Sequence, residues 1–239
     1  MPTIACSSTS GIIREADADF ADARDGNGSI STFVDLSDTD DLIVASLSRG
    51  NHFMFRGFYA FDTSSITSTV ASATLDVNIN RLTDTDGGGV TGILVKGTKP
   101  DLSNNIVAAD FTSAPGCTAA QSGASYASTA TAYSSAFTVT GTGALSITLN
   151  STALTDMVNN NVFNITIFNH DHDFTNNAPA SGDAQNRFDI DGRTGPTPLV
   201  LNFTLATGYT HNVLGVAAAN IAKVDGVATA NIAKINGVD

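Results

Sequence analysis

Ala73-Thr74-Leu75-Asp76-Val77-Asn78-Ile79-Asn80 decides the fold class. Apolar and polar residues alternate with a period of two, the pattern of a strand with one face in a core and one in water. Leu199, Leu201, Phe203 and Leu205 alternate with Val200, Asn202 and Thr204 in the same way. Two further stretches are apolar on both parities. In 51–61, Phe53, Phe55, Tyr59 and Phe61 oppose Met54 and Phe58; in 162–169, Phe163, Ile165 and Ile167 oppose Val162 and Phe168. Both predict central strands covered on two faces. Further strand candidates are 31–36, 42–47, 90–96, 136–141 and 144–149, separated by Gly, Asn, Asp and Ser, which supply turns. The one helical pattern of the main domain lies at 150–159. There Ser151 or Thr152 is the N-cap candidate, and Leu154, Met157 and Val158 fall at i, i+3, i+4. About nine strands and one short helix describe an all-β fold, a two-sheet antiparallel β-sandwich (jelly roll).

The domain is expected to run over 1–207, followed by a linker and tail over 208–239. Residues 112–135 are nearly all Ser, Thr, Ala, Gly and Tyr and read as a surface excursion with little core content. The tail holds a tandem repeat. Val216-Ala-Ala-Ala-Asn-Ile-Ala-Lys-Val-Asp-Gly226 is followed by Val227-Ala-Thr-Ala-Asn-Ile-Ala-Lys-Ile-Asn-Gly237. Repeat units this short gain stability only by stacking on neighbours, so the tail reads as an assembly device. Asp225-Gly226 and Asn236-Gly237 are strong hairpin signals, because both central residues of a type I′ turn need positive φ. The competing reading is a short Ala-rich helix over 217–223, opposed by the flanking glycines.

The chain has 239 residues and a formal charge of −12, with no Trp and only 11 Lys and Arg. Nucleic acid needs a basic footprint, so it is excluded as a partner, and anionic membranes are excluded on the same ground. No apolar run approaches the roughly 18 residues of a membrane helix. Residues 1–11 have neither a basic n-region nor an apolar h-region, so no signal peptide is expected. A surface-type composition without a secretion signal fits a virion protein released by lysis; a mature fragment behind a start Met fits equally. Cys6 and Cys117 are either bonded or two free, small apolar residues.

Arg56-Gly-Phe-Tyr-Ala-Phe61-Asp62-Thr63-Ser64-Ser65-Ile66 precedes Val70-Ala-Ser-Ala-Thr-Leu75. In these residues the chain resembles the disaggregatase-related (DNRLRE-type) jelly-roll domains. Those run an Arg and an apolar strand into Phe-Asp-x-Ser-Ser-Ile, then open a strand with Ser-Ala-x-Leu. Pro198-Leu-Val-Leu-Asn-Phe203 is similar to the family's last strand, so the resemblance covers about residues 14–206. Physically, Asp62 with 63–65 can cap a turn after a buried strand, and Ile66 re-enters the core. The resemblance implies a carbohydrate-module-like fold and a structural calcium. Its members occur in polysaccharide-handling proteins, surface layers and phage structural proteins, so it implies a fold better than an activity. The tail is similar to the Ala-Asn-Ile-Ala-Lys endings of phage particle proteins.

His170-Asp171-His172-Asp173 is the first metal candidate. On a strand, His170 and His172 would share a face and suit a divalent ion, with Asp183 or His52 as a further ligand; the alternative is a polar loop. Calcium is the softer candidate, on Asp22, Asp25, Asn27 and Asp191. Asp25-Gly26-Asn27-Gly28-Ser29 gives donors at alternate positions but lacks the bidentate Glu of an EF-hand, and ordinary Asx turns explain it as well. A glycosidase needs two facing carboxylates. The chain has a single Glu, Glu15, at a start that reads as unstructured, and no GxSxG motif. It is therefore not expected to be an enzyme. Tyr126 and Tyr133 are the candidate glycan contacts; otherwise they pin the excursion down.

The expectation is a structural phage virion protein: an oligomeric capsid decoration protein, with a homotrimer favoured, displayed on the virion surface. Its partners are further copies of itself and other virion proteins. Its assembly residues are Asn220, Ile221, Lys223, Val224 and Gly226, then Asn231, Ile232, Lys234, Ile235 and Gly237. No cofactor is required, structural Ca²⁺ being the one candidate. The alternatives are a tail or head fibre and an extracellular carbohydrate-binding adhesion module, for which the partner is a polysaccharide.

Overall fold

The computed structural model describes residues 1–36, 40–85, 87–118, 123–179 and 185–206, together with the backbone of 223–224 and 227–228. The strands of the main domain are β1 (Thr3–Ala5), β2 (Gly11–Asp17), β3 (Ser31–Asp35), β4 (Asp40–Ser48), β5 (Asn51–Asp62) and β6 (Val70–Asp84). They continue with β7 (Val90–Lys96), β8 (Phe137–Val139), β9 (Gly143–Thr148), β10 (Val162–Asn169), β11 (Gln185–Asp191) and β12 (Val200–Leu205). Two helices, α1 (Phe20–Arg24) and α2 (Ser151–Asn159), complete the regular structure used below. The all-β sandwich read from the sequence is the architecture observed, and all its strand pairs are antiparallel.

One path runs β9-β6-β11-β4-β5-β10-β7-β8. β5 carries it from one layer to the other. Its first half pairs with β4 (Val44↔Phe55) and its second half with β10 (Phe163↔Phe61), while β2 lies along its opposite edge (Ile13↔Arg56). β6 is the second long strand. β12 and β11 share one of its edges and β9 takes the other. β3 pairs with β2, and β1 with β12. The two ends of the path, β8 and β9, are consecutive in the chain. β8 pairs with β7 and β9 with β6, not with each other.

The period-two strands point as predicted, except that Leu205 at the end of β12 is exposed. Leu75, Val77 and Ile79 of β6 meet Leu201 and Phe203 of β12 and Phe163, Ile165 and Ile167 of β10 in the main core. The two-sided strands are covered on both faces over 58–61 and 163–168, as predicted, while Phe53 and Phe55 of β5 are only half-buried. Tyr59 and Phe61 of β5 face the main core, while Met54 and Phe58 pack with Ile13, Ala23, Ile106 and Phe111. Phe168 of β10 turns to a third cluster with Ile93, Val95, Ala114, Cys117, Tyr126 and Phe174. Asp62 accepts hydrogen bonds from the Ser64 N–H (3.1 Å) and hydroxyl (2.6 Å), and Ile66 is buried. The turn-and-return reading of that motif is therefore the local structure.

Several expectations change. The third cluster shows that the described parts of this stretch, 112–118 and 123–135, are no loose excursion. There Ala114, Cys117 and Tyr126 pack on the outer face of β7 and β10, while Tyr133 enters the main core against Phe163. Gly116 marks how close this packing is: it sits at φ +79°, and a Cβ there would lie 2.1 Å from the Thr129 carbonyl oxygen. The start of the chain is ordered, with Glu15 buried in β2. β1, β2, β11 and α1 were not anticipated, and the main sheet has 12 strands rather than about nine. Asn150, not Ser151 or Thr152, caps α2: its side chain accepts from Ala153 N–H at 3.1 Å. A helix this short is marginal alone and is held by burying Ala153 and Met157.

Candidate functional site

The chemistry-bearing residues converge on β5. Arg56 stands in a strand covered on both faces, so its guanidinium has no route to water and needs a carboxylate partner. Asp173 is that partner. Arg56 Nε and Nη2 each donate to one Asp173 oxygen at 2.7 Å, a bidentate pair with both side chains fully buried. Nη1 also donates to the Phe111 carbonyl at 2.9 Å, and Nη2 to the Arg24 carbonyl at 2.7 Å and, more weakly, to the Tyr126 hydroxyl at 3.4 Å. The Phe111 and Phe168 rings flank the cation at 4.0 and 4.6 Å. Burial alone would lower the pKa of Arg56, but the Asp173 charge, then Tyr126, outweighs it and the net shift is upward.

Arg24, at the end of α1, is the second buried cation. Its Nε donates to the Asp173 carbonyl at 2.6 Å and its Nη2 to the Ala124 carbonyl at 2.8 Å. It lies 3.7 Å over the Tyr126 ring, and Asp25 stands 3.7 Å from its Nη1. Burial pushes the Tyr126 hydroxyl pKa up, partly offset by Arg56. Two cations and two carboxylates thus sit together, sealed from solvent. They tie β5 to α1, to the 3₁₀ turns at Ala108–Thr112 and Tyr126–Ser128, and to the turn after β10. The arrangement holds segments together; it offers no opening to a substrate.

This lock corrects the metal and glycan readings. His170–Phe174 is a single π-helical turn, not a strand, so His170 and His172 do not share a strand face. His172 Nδ1 donates to the Asn177 carbonyl at 2.8 Å, and its Nε2 accepts from the Asn186 amide. His170 stacks on Phe174 and contacts Asp171 at 3.2 Å. Asp173 has both oxygens on Arg56. His52 packs edge-on against Phe20, and Asp183 lies outside the described residues. Asp25 is buried beside Arg24 while Asn27 is exposed, so the alternate-donor pattern does not converge. Asp191 is occupied by the Asn78 and Asn80 amides. Among the described residues no group of three or more His, Cys, Asp or Glu is placed to hold a metal ion.

Tyr126 and Tyr133 are buried, not an exposed platform. Tyr133 stacks on Phe163 at 5.0 Å, and its hydroxyl donates to Asp156 at 2.6 Å. Burial, then Asp156, raises its pKa. Lys96 completes this joint at 2.8 Å from Asp156. Both tyrosines pin the 112–135 segment, the other outcome the sequence allowed. Cys6 and Cys117 are free thiols, pushed up to about 11 and about 12, chiefly by burial.

In the tail the structure describes one element, a strand pair formed by β13 (Lys223–Val224) and β14 (Val227–Ala228). Val224 faces Val227 and Lys223 faces Ala228, antiparallel. The register leaves two intervening residues, as the Asp225-Gly226 hairpin signal predicts, and the helix reading does not extend to Lys223. Asn220, Ile221, Gly226, Asn231, Ile232, Lys234, Ile235 and Gly237 lie outside the described residues. What sequence reading missed is the role of Arg24 and Arg56. The signal was present: an Arg inside a strand with apolar residues on both parities has to be buried and paired. No family model matches the chain and no curated protein matches it, so function is argued from these residues alone.

Proposed function

We propose that this chain is a structural component of a phage particle: an oligomeric capsid decoration protein, displayed on the surface and held by its C-terminal repeat. The observation that carries the reading is the β13–β14 pair, which joins the end of one repeat unit to the start of the next. Strands of two residues bury too little to be stable alone, so a segment built this way gains its order from neighbours. Further copies of the chain are the neighbours at hand, in a homotrimer, together with other particle proteins. The body supports the reading by its internal economy of charge. Among the described residues its two buried arginines, Arg24 and Arg56, are both taken up by the lock around Asp173, and the acidic balance of −12 keeps a displayed surface soluble. The adhesion-module alternative loses the two tyrosines on which its sugar platform was built.

The test is deletion of residues 207–239. Native mass measurement of the full chain is expected to give an oligomer, and the truncated chain a smaller species with a fully folded body. Truncation should also abolish binding to particles that lack the protein. An unchanged oligomer and unchanged particle binding after truncation would sink the proposal.

A further inference from the structure

We propose that the open edge of β9, beside β8, is where a second copy of this chain docks against the body. The inference rests on the assembly reading above and adds a contact that the tail does not supply.

The direction of the backbone groups is fixed by two hydrogen bonds at the end of β9. Leu149 N–H donates to the Ala73 carbonyl beside β6 at 3.0 Å, and Asn150 N–H points the opposite way, to the Tyr133 carbonyl, at 2.8 Å. Backbone groups alternate in direction along an antiparallel strand. Leu145 and Ile147 therefore address β6, and Ala144, Ser146 and Thr148 turn their N–H and C=O groups outward. Those three residues are exposed. The Asn150–Tyr133 bond closes one end of the seam between β8 and β9. Beyond it the strands part around two clefts of about 250 and 220 Å³.

Free strand edges are ordinarily guarded by Lys, Pro, bulges or inward charge. Among the described residues this one has no such guard. Residues 111–155 contain no charged side chain, and neither β8 nor β9 contains Pro. β3, another edge strand, ends instead on Asp35.

The same absence of charge selects the occupant. Copies carrying −12 each repel one another wherever acidic faces meet. The two strands that border the seam carry no charge, and the carboxylate beside them, Asp76 of β6 opposite Ser146, is held by Thr74 and Asn202. A basic partner gains nothing there, whereas an uncharged strand edge is matched by another uncharged edge, the one each further copy presents. Pairing of β9 with β9 would join the sheets of two copies about a two-fold axis, a contact distinct from the homotrimer held by the tail.

Ser146 gives the test. Its N–H faces away from β6, so Ser146→Pro removes an outward donor without breaking the β6 ladder, and Ser146→Lys keeps the donor but places like charges together. Both variants of the full chain are expected to weaken association at least about tenfold by native mass and dilution measurements, with the unfolding transition of the body retained. Hydrogen exchange supplies the second readout. Amides 144, 146 and 148 should be protected in the assembled chain and exchange at least about tenfold faster on dilution, while 145 and 147 stay protected in both states. Fast exchange at the three outward amides in the assembly, or unchanged association in both variants, overturns the inference. Dissociation by deletion of 207–239 alone, with both Ser146 variants intact, removes the seam and leaves the anchor. The reverse pattern removes the anchor and leaves the seam. A full chain that stays monomeric overturns both.

Discussion

The arginine lock and the β8–β9 seam are built from opposite materials. The lock gathers two cations and two carboxylates where there is no water, and the seam is bordered by two strands without a charged side chain on a face that water reaches. A buried pair is weak evidence for net stability, because desolvation offsets most of the attraction, but it is very sensitive to losing one member. A neutral edge contributes little to the isolated fold and is sensitive to gaining a group. The two regions should therefore respond to mutation in opposite ways: subtraction breaks the lock, addition breaks the seam.

The largest effect is expected from Asp173→Ala, which strands Arg56 in the interior. It should cost about 3–5 kcal/mol in chemical denaturation. The double variant Arg56→Met, Asp173→Leu removes both charges and should be less destabilised than Asp173→Ala alone. A double variant as damaged as the sum of its parts would mean that the lock works by shape, not by charge pairing.

A smaller effect is expected at Tyr133, where the locked segment meets the closed end of the seam. Tyr133→Phe keeps the stack on Phe163 and loses the hydroxyl bond to Asp156, a loss of about 1 kcal/mol. Association should be unaffected, since the ring still fills its place.

The smallest effect is a pH dependence outside both regions. Asp17 accepts the N–H of Asp19 at 2.9 Å and the hydroxyl and N–H of Ser29 at 2.6 and 2.8 Å. These bonds lower its pKa from the ordinary 3.8 to about 2. A carboxylate depressed in the folded state lends stability above its unfolded pKa and loses it as the proton is taken up. The melting temperature should therefore fall between about pH 4 and pH 2, and Asp17→Asn should flatten that part of the curve.

Much of the fold was legible because strand parity is a short-range signal. Val90–Lys96 and Val162–Asn169 fall where the pattern placed them, and the two-sided strands have two covers. The covers themselves were not legible. Ala114, Cys117 and Tyr126 lie in a stretch of small polar residues, and nothing local says that such a stretch is laid flat on a sheet. The candidate site was half legible. Asp25, Asp173 and Tyr126 were all singled out and do come together, but around arginine, not metal or sugar. A carboxylate in sequence does not announce its counter-ion when the two are 117 positions apart, as Arg56 and Asp173 are. Glu15 shows the same limit from the other side: it is buried in β2 between Thr32 of β3 and Met54 of β5, register partners 17 and 39 positions away.

The strand pair at 223–228 has an arithmetical consequence. Lys223 and Val224 belong to one copy of the repeated motif, and Val227 and Ala228 to the next. A solitary motif contains half a ribbon and has nothing to pair. The ribbon arises only at a junction, so two motifs make one, and inserting a third would make a second at the same spacing. Duplication here creates a structural element that neither original possessed.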